Sequence, residues 1–197
     1  NSTNDWIFPT SGSMFSASVE ATLPYSALTG QDMKTAPLEQ KYEWMEYHKW
    51  KLKGQWFIPL DNRKDVQNSK LVLMARGEIG FLGYYNTDIG VTPFKRFFVG
   101  GDGLTGFNID GREIIACRGY QNYSLTPGFG NGAAGSSSTA VGGGVYSKYT
   151  MELRYLISPN PQSKIYALAF LEAGNAWQDV RDFQPFKLNR SVGVGVR

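Results

Sequence analysis

"YTMELRYLI", residues 149–157, decides how this chain folds. Tyr149, Met151, Leu153, Tyr155 and Ile157 alternate with Thr150, Glu152 and Arg154. A period of two gives one apolar and one polar face only on a strand. Outward from this stretch the same alternation returns. Phe15, Ala17, Val19, Ala21 and Leu23 oppose Ser16, Ser18, Glu20 and Thr22; Trp50, Leu52, Trp56 and Ile58 oppose Lys49, Lys51, Lys53 and Gln55. Leu71, Leu73, Ala75, Ile79 and Phe81 oppose Lys70, Arg76 and Glu78, and Val192, Val194 and Val196 oppose Gly193, Gly195 and Arg197. The expectation is an all-β chain with strands over about 13–24, 41–58, 68–85, 145–158, 164–177 and 188–197. The fifth, "KIYALAFLEAGNAW", is apolar on both faces and reads less clearly.

The charged faces separate a soluble sandwich from a membrane barrel. A dry core would have to bury Lys49, Lys51, Lys53, Arg76, Glu78, Glu152 and Arg154, at a cost that unpaired charges do not recover. Turned inside out, with the apolar face toward lipid and the charges toward a wet lumen, the pattern carries no such cost. Two further features agree. The strands reach the length of a tilted bilayer crossing, and aromatics gather toward strand ends at Trp44, Tyr84, Tyr85, Tyr149, Tyr155, Trp177 and Phe183, as interfacial girdles require. Six strands leave open backbone edges that lipid does not tolerate, so the expectation is part of a larger barrel.

Connections differ in kind. "FPTSG", "IPLDNRKDVQNSK" and "SPNPQSK" are compact, whereas residues 86–144 form one very long loop containing the low-complexity tract "GNGAAGSSSTAVGGG" at 130–144. Such length points to a functional loop.

Bulk properties narrow the function. The chain has 197 residues, 42% apolar and 14% aromatic, with a formal charge of +3. That balance gives no nucleic-acid footprint. Cys117 is the one cysteine and His48 the one histidine, which rules out an intrachain disulfide, a CxxC pair and a histidine cluster. No apolar run reaches the roughly 18 residues of a helical span. The first residue follows no signal peptide and the last interrupts "RSVGVGVR", so a fragment of a longer chain is expected. "GGDGLTG", 100–106, lacks the lysine and frame of a phosphate loop. Lys49, Lys51 and Lys53 read as a wetted lumen face, and Cys117 as a small packed residue.

Within the long loop, "IIACRGYQNYSLTP" at 114–127 isolates Arg118 beside Gly119 and Tyr120. Alone it would be an exposed loop arginine. However, "ACRGYQ" is similar to the [VIA]-x-R-G-[FY] signature of the sixth extracellular loop in BamA-type outer-membrane protein insertases. That family also includes the two-partner secretion transporters. "FLEAGNAW" resembles their F-x-D/E-x-G-x-x-W strand, which carries Glu172, Gly174 and Trp177, and "TMELRYLISP" resembles the strand before it. "IFPTSGSMF" is similar to the turn opening an earlier strand, and "FFVGGDGLTGF" to the lead-in to the loop. The pieces stand in family order along almost the whole chain. Cys117, where an aliphatic residue is common, and Glu172, often aspartate, are departures that keep the chemistry. The insert from Asp102 to Glu113 and the glycine tract resemble the Bacteroidota branch.

The resemblance implies that the loop folds back into the lumen, where Arg118 meets Glu152 and Glu172 on adjacent strands. It implies strands nine to fourteen of a barrel of about sixteen, within the size range of such proteins, with POTRA domains and the remaining strands outside these residues. It further implies residence in the bacterial outer membrane and assembly of unfolded outer-membrane β-barrel substrates through a lateral seam. Accessory lipoprotein subunits, periplasmic chaperones and outer-membrane lipid would be partners, with no cofactor, metal, nucleic acid or catalytic residue. The alternative is a two-partner-type pore exporting a passenger protein. A catalytic carboxylate pair at Glu152 and Glu172 is disfavoured because an arginine would hold both acids ionised.

Overall fold

A computed structural model describes residues 2–30, 33–61, 65–103, 112–128, 140–160 and 163–197. Six long strands, β1 (Gly12–Ala21), β2 (His48–Pro59), β3 (Leu71–Gly83), β6 (Val145–Ser158), β7 (Ile165–Trp177) and β8 (Asn189–Val196), form one sheet in the order β1-β2-β3-β6-β7-β8. Every pairing in it is antiparallel. Between β3 and β6 the chain leaves the wall, and β4 (Phe97–Val99) and β5 (Glu113–Ile115) pair in parallel as a separate small sheet.

The period-two pattern sorts the faces. Phe15, Trp50, Trp56, Met151, Leu153 and Val194 all stand exposed on one side, the behaviour of residues meant for lipid rather than water. On the other side Lys49, Lys148, Glu152, Arg154 and Glu172 are buried beneath the returning loop. Register fixes this alignment: Glu152 lies opposite Met74 and Phe170, and Glu172 opposite Thr150. A slip of one residue would turn every charge to the lipid side.

Two apolar clusters line the inner face. One joins the loop to the wall through Phe97, Val99, Ile115, Cys117, Tyr146 and Leu82. The other packs Phe8 against Phe57, Val72, Met74, Tyr166 and Leu168. This second cluster explains why β7 is apolar on both faces: its first half supports the FPTSG turn instead of facing water. Gly80 on β3 sits opposite Tyr146, and a Cβ there would lie 2.2 Å from the Tyr146 ring and 2.9 Å from Phe97. The glycine gives the aromatic room to lie flat on the wall, a cross-strand device of curved sheets.

Three sequence expectations change. The second strand begins at His48, not near 41, because short helices α1 (Tyr25–Thr29) and α2 (Leu38–Lys41) occupy the β1–β2 connection. Glu46 is used there as an acceptor, taking the backbone N–H and hydroxyl of Ser26. The Thr22 N–H donates to the Tyr47 carbonyl and the Tyr47 N–H to the Thr22 hydroxyl, which closes the connection before the strand starts. Trp177 does not stand open at the strand end: it is 7% exposed and packs edge-on against Phe183 at 4.9 Å. The long loop also holds β4 and β5; most of its glycine tract, and residues 104–111 of the insert and of "GGDGLTG", lie outside the described residues.

The face assignment makes a direct prediction. In the intact barrel in phospholipid vesicles, Met151→Arg on the outer face should lower unfolding free energy by about 2–4 kcal/mol. Ser16→Glu, opposite Lys53 on the inner face, should stay within about 0.5 kcal/mol of the parent; denaturant titration reads both.

Candidate functional site: an arginine lock on the inner wall

The site grows from strand parity. Glu152 on β6 and Glu172 on β7 both point inward, diagonal to each other across one strand pair. They are 3% and 2% exposed, so each needs charge compensation within hydrogen-bond reach. The loop supplies it. Gly101 and Cys117 form an isolated bridge, with the Cys117 N–H on the Gly101 carbonyl at 2.9 Å. Gly119 then takes a φ of 86°, which glycine tolerates and other residues resist. A Cβ at Gly119 would also approach Ser191 on β8 to 3.1 Å.

That turn aims Arg118 between the acids. Its Nη2 donates to Glu152 Oε1 at 2.6 Å and to Glu172 Oε1 at 2.8 Å, and its Nε to Glu172 Oε1 at 3.0 Å. The backbone N–H of Arg118 adds a bond to Glu172 Oε2 at 2.7 Å. Glu172 is thus held on both oxygens, by main chain and side chain of one residue. Charge-assisted bonds of this kind are about twice as strong as neutral ones. The guanidinium also stacks on Phe170, 3.8 Å from the ring centroid. Gly193 lies opposite, where a Cβ would come within 2.5 Å of that ring. Tyr120 extends the contact, its hydroxyl donating to the Arg190 carbonyl on β8 at 2.7 Å.

The structure therefore brings Arg118, Glu152 and Glu172 together, with Gly119 and Tyr120 at the turn. Gly174 sits opposite Lys148, whose Nζ approaches Glu172 Oε1 at 3.4 Å. Trp177 is not part of the cluster; it ends β7, and its carbonyl receives the Gly144 N–H at 2.9 Å. Sequence reasoning missed Phe170, Lys148 and Arg154. The last grips Glu152 Oε2 through Nε at 2.8 Å and Nη2 at 2.6 Å. All three share the inward parity of the two glutamates, which was the available signal. Three cations on two carboxylates make a charge-satisfied knot. Among the described residues no cluster of His, Cys, Asp or Glu could hold a metal ion.

Fold and site together define one wall of a transmembrane β-barrel whose long loop is pinned to the lumen by an arginine. The chain belongs to the Omp85 superfamily, whose domain model matches residues 1–197. Among solved structures it is similar to BamA from Haemophilus ducreyi lacking POTRA domains 1–3, at a TM-score of 0.65 and 20% identity. That match covers 100% of this chain and 34% of the other, so the chain spans about a third of that structure, and the likeness is one of fold. No curated protein matches the chain.

Cys117 offers a native reporter. It is fully buried beside the arginine, and burial, with Glu172 nearby, pushes its thiol up to about 11. A thiol raised that far is almost wholly protonated at pH 8, so it should resist maleimide in the folded protein. Arg118→Ala should cost about 3–5 kcal/mol and speed Cys117 alkylation at least about tenfold. Arg118→Lys should rescue little of this, because a lysine lacks the planar fork.

Proposed function

We propose that this chain forms part of the barrel of an outer-membrane insertase, the core subunit that folds β-barrel proteins into the bacterial outer membrane. The observation that carries the reading is the lock itself: a loop folded inward and bound to β6 and β7 by four hydrogen bonds from Arg118. A loop fastened across the lumen restricts flow through a passive channel. A barrel that must hold its wall in shape while a seam elsewhere accepts new strands gains from it, because unpaired strand edges template an incoming strand. The membership in the Omp85 superfamily and the fold likeness to a BamA barrel support the same reading.

In this reading the work is non-covalent and needs no cofactor. Unfolded outer-membrane proteins are the substrates, delivered by periplasmic chaperones and received with the help of accessory lipoproteins, and lipid is the medium they enter. Strand-by-strand hydrogen bonding supplies the driving force, since a backbone group left unpaired in hydrocarbon costs several kcal/mol. The second reading, export of a passenger protein through a two-partner-type pore, shares the inward loop and so accommodates the same lock.

Depletion separates the two. Lowering the full-length protein in its native cell should reduce many outer-membrane β-barrel proteins together, and re-expression of Arg118→Ala should restore them only in part. Loss of one secreted protein, with the others unchanged, would replace insertion by export.

A further inference from the structure

A second cluster of charges on the same loop is not absorbed by the arginine lock. Glu113 opens β5, and its carboxylate is gripped by two lysines of β2: Lys49 Nζ reaches Oε2 at 2.6 Å and Lys51 Nζ reaches Oε1 at 2.8 Å. Lys49 also donates to the Lys95 carbonyl at 2.9 Å, and its ammonium sits 4.3 Å from the centroid of Phe97 on β4. Lys95 completes the contact by pairing with Glu20 on β1 at 2.8 Å, an acid that also accepts the Tyr47 hydroxyl. The charges of the small loop sheet are therefore tied to β1 and β2, on the far side of β3 from the strands that hold Arg118, while Phe97 also packs on Tyr146 of β6 at 4.7 Å.

Burial ranks the partners. Lys49 is 4% exposed, whereas Lys51 is 37% and Glu113 32%. Without Glu113 the Lys49 ammonium would keep one carbonyl, a ring face and the attraction of Glu20 across the strand pair, an acid already paired with Lys95, with Lys51 two residues along the same face repelling it. An ion left buried in that way is costly. Between Glu113 and Arg118 lies roughly 15 Å of chain at strand rise, enough for the two fastenings to act on separate walls.

We propose that Glu113 is a second positioning residue of the inward-folded loop, clamping its β4–β5 arm to the β1–β2 wall independently of Arg118. The loop then works as a strut across the lumen, held at two points, and the arm stays seated when the arginine lock opens. This does not depend on the insertase reading: the clamp is read by labelling, cargo assembly by depletion, and either can fail alone.

The test uses the full-length protein in outer-membrane vesicles, with two native probes read by mass spectrometry. A maleimide reports Cys117 at the lock, and a water-soluble amine-acylating reagent reports Lys49 at the clamp. In Arg118→Ala, Cys117 should become reactive while Lys49 stays within about twofold of the parent; in Glu113→Gln the pattern should reverse, with Lys49 labelled on the order of tenfold faster. Adding Glu113→Gln to Arg118→Ala should raise Cys117 labelling about tenfold above Arg118→Ala alone. Reversing the clamp, with Glu113→Lys, Lys49→Glu and Lys51→Glu in that background, should return Cys117 to the Arg118→Ala rate. Heat-modifiable migration on gels confirms that each variant is folded. Joint exposure of Lys49 and Cys117 in Arg118→Ala, or unchanged Lys49 labelling in Glu113→Gln, would overturn the clamp.

Discussion

Two nearly dehydrated carboxylates on the inner wall set the terms for the rest of the molecule. Glu152 and Glu172 have little water to solvate them, and on a water-filled lumen wall they would ordinarily have stayed wet. They are dry because a loop covers them, and the loop can cover them because it brings a guanidinium. Neither half is comfortable alone: without the arginine Glu152 keeps only Arg154 and Glu172 only Lys148 at 3.4 Å, and the arginine without the acids is a half-buried cation on Phe170. This mutual requirement is what turns a long surface connection into a fixed part of the barrel interior.

The strands then have to place the acids with an accuracy that alternation alone supplies. Register between β6 and β7 brings Glu172 opposite Thr150 and Glu152 opposite Phe170, so both acids and the stacking ring share one face. Glycines do complementary work on neighbouring strands, Gly193 beneath Phe170 and Gly80 beneath Tyr146. An outward apolar face and an inward charged one are thus one constraint: the same parity that presents Met151 and Leu171 to lipid presents Glu152 and Glu172 to the loop.

Much of this was legible in the residues. Parity assigned five of the six strands and the inward direction of Glu152, because lipid on one side and water on the other impose opposite chemistry at every step; β7, apolar on both faces, and its Glu172 needed the ordered motifs as well. Pairing Arg118 with those acids took the ordered motifs, since nothing in spacing tells a loop arginine to fold inward. Phe170 and Arg154 were missed although each lies two residues from an assigned glutamate, because a stacked ring and a second cation look like ordinary neighbours until the loop is in place. Glu113 was hidden for a different reason: its partners Lys49 and Lys51 sit more than sixty positions away, and in sequence they read as a wetted stripe. The connection before His48 misled because Trp44, Met45 and Tyr47 make it as apolar as a strand, while the Glu46 carboxylate and the Tyr47 backbone close a turn with Ser26 and Thr22.

The most direct measurement of the lock is a double-mutant cycle on the intact barrel in vesicles, combining Arg118→Ala with Glu172→Gln. If the two side chains neutralise each other in the lumen, the coupling energy should be about 2 kcal/mol or more, near the upper end of what contacting pairs show. Additive effects, within about 0.5 kcal/mol, would mean that Arg118 and Glu172 do not meet in the folded protein.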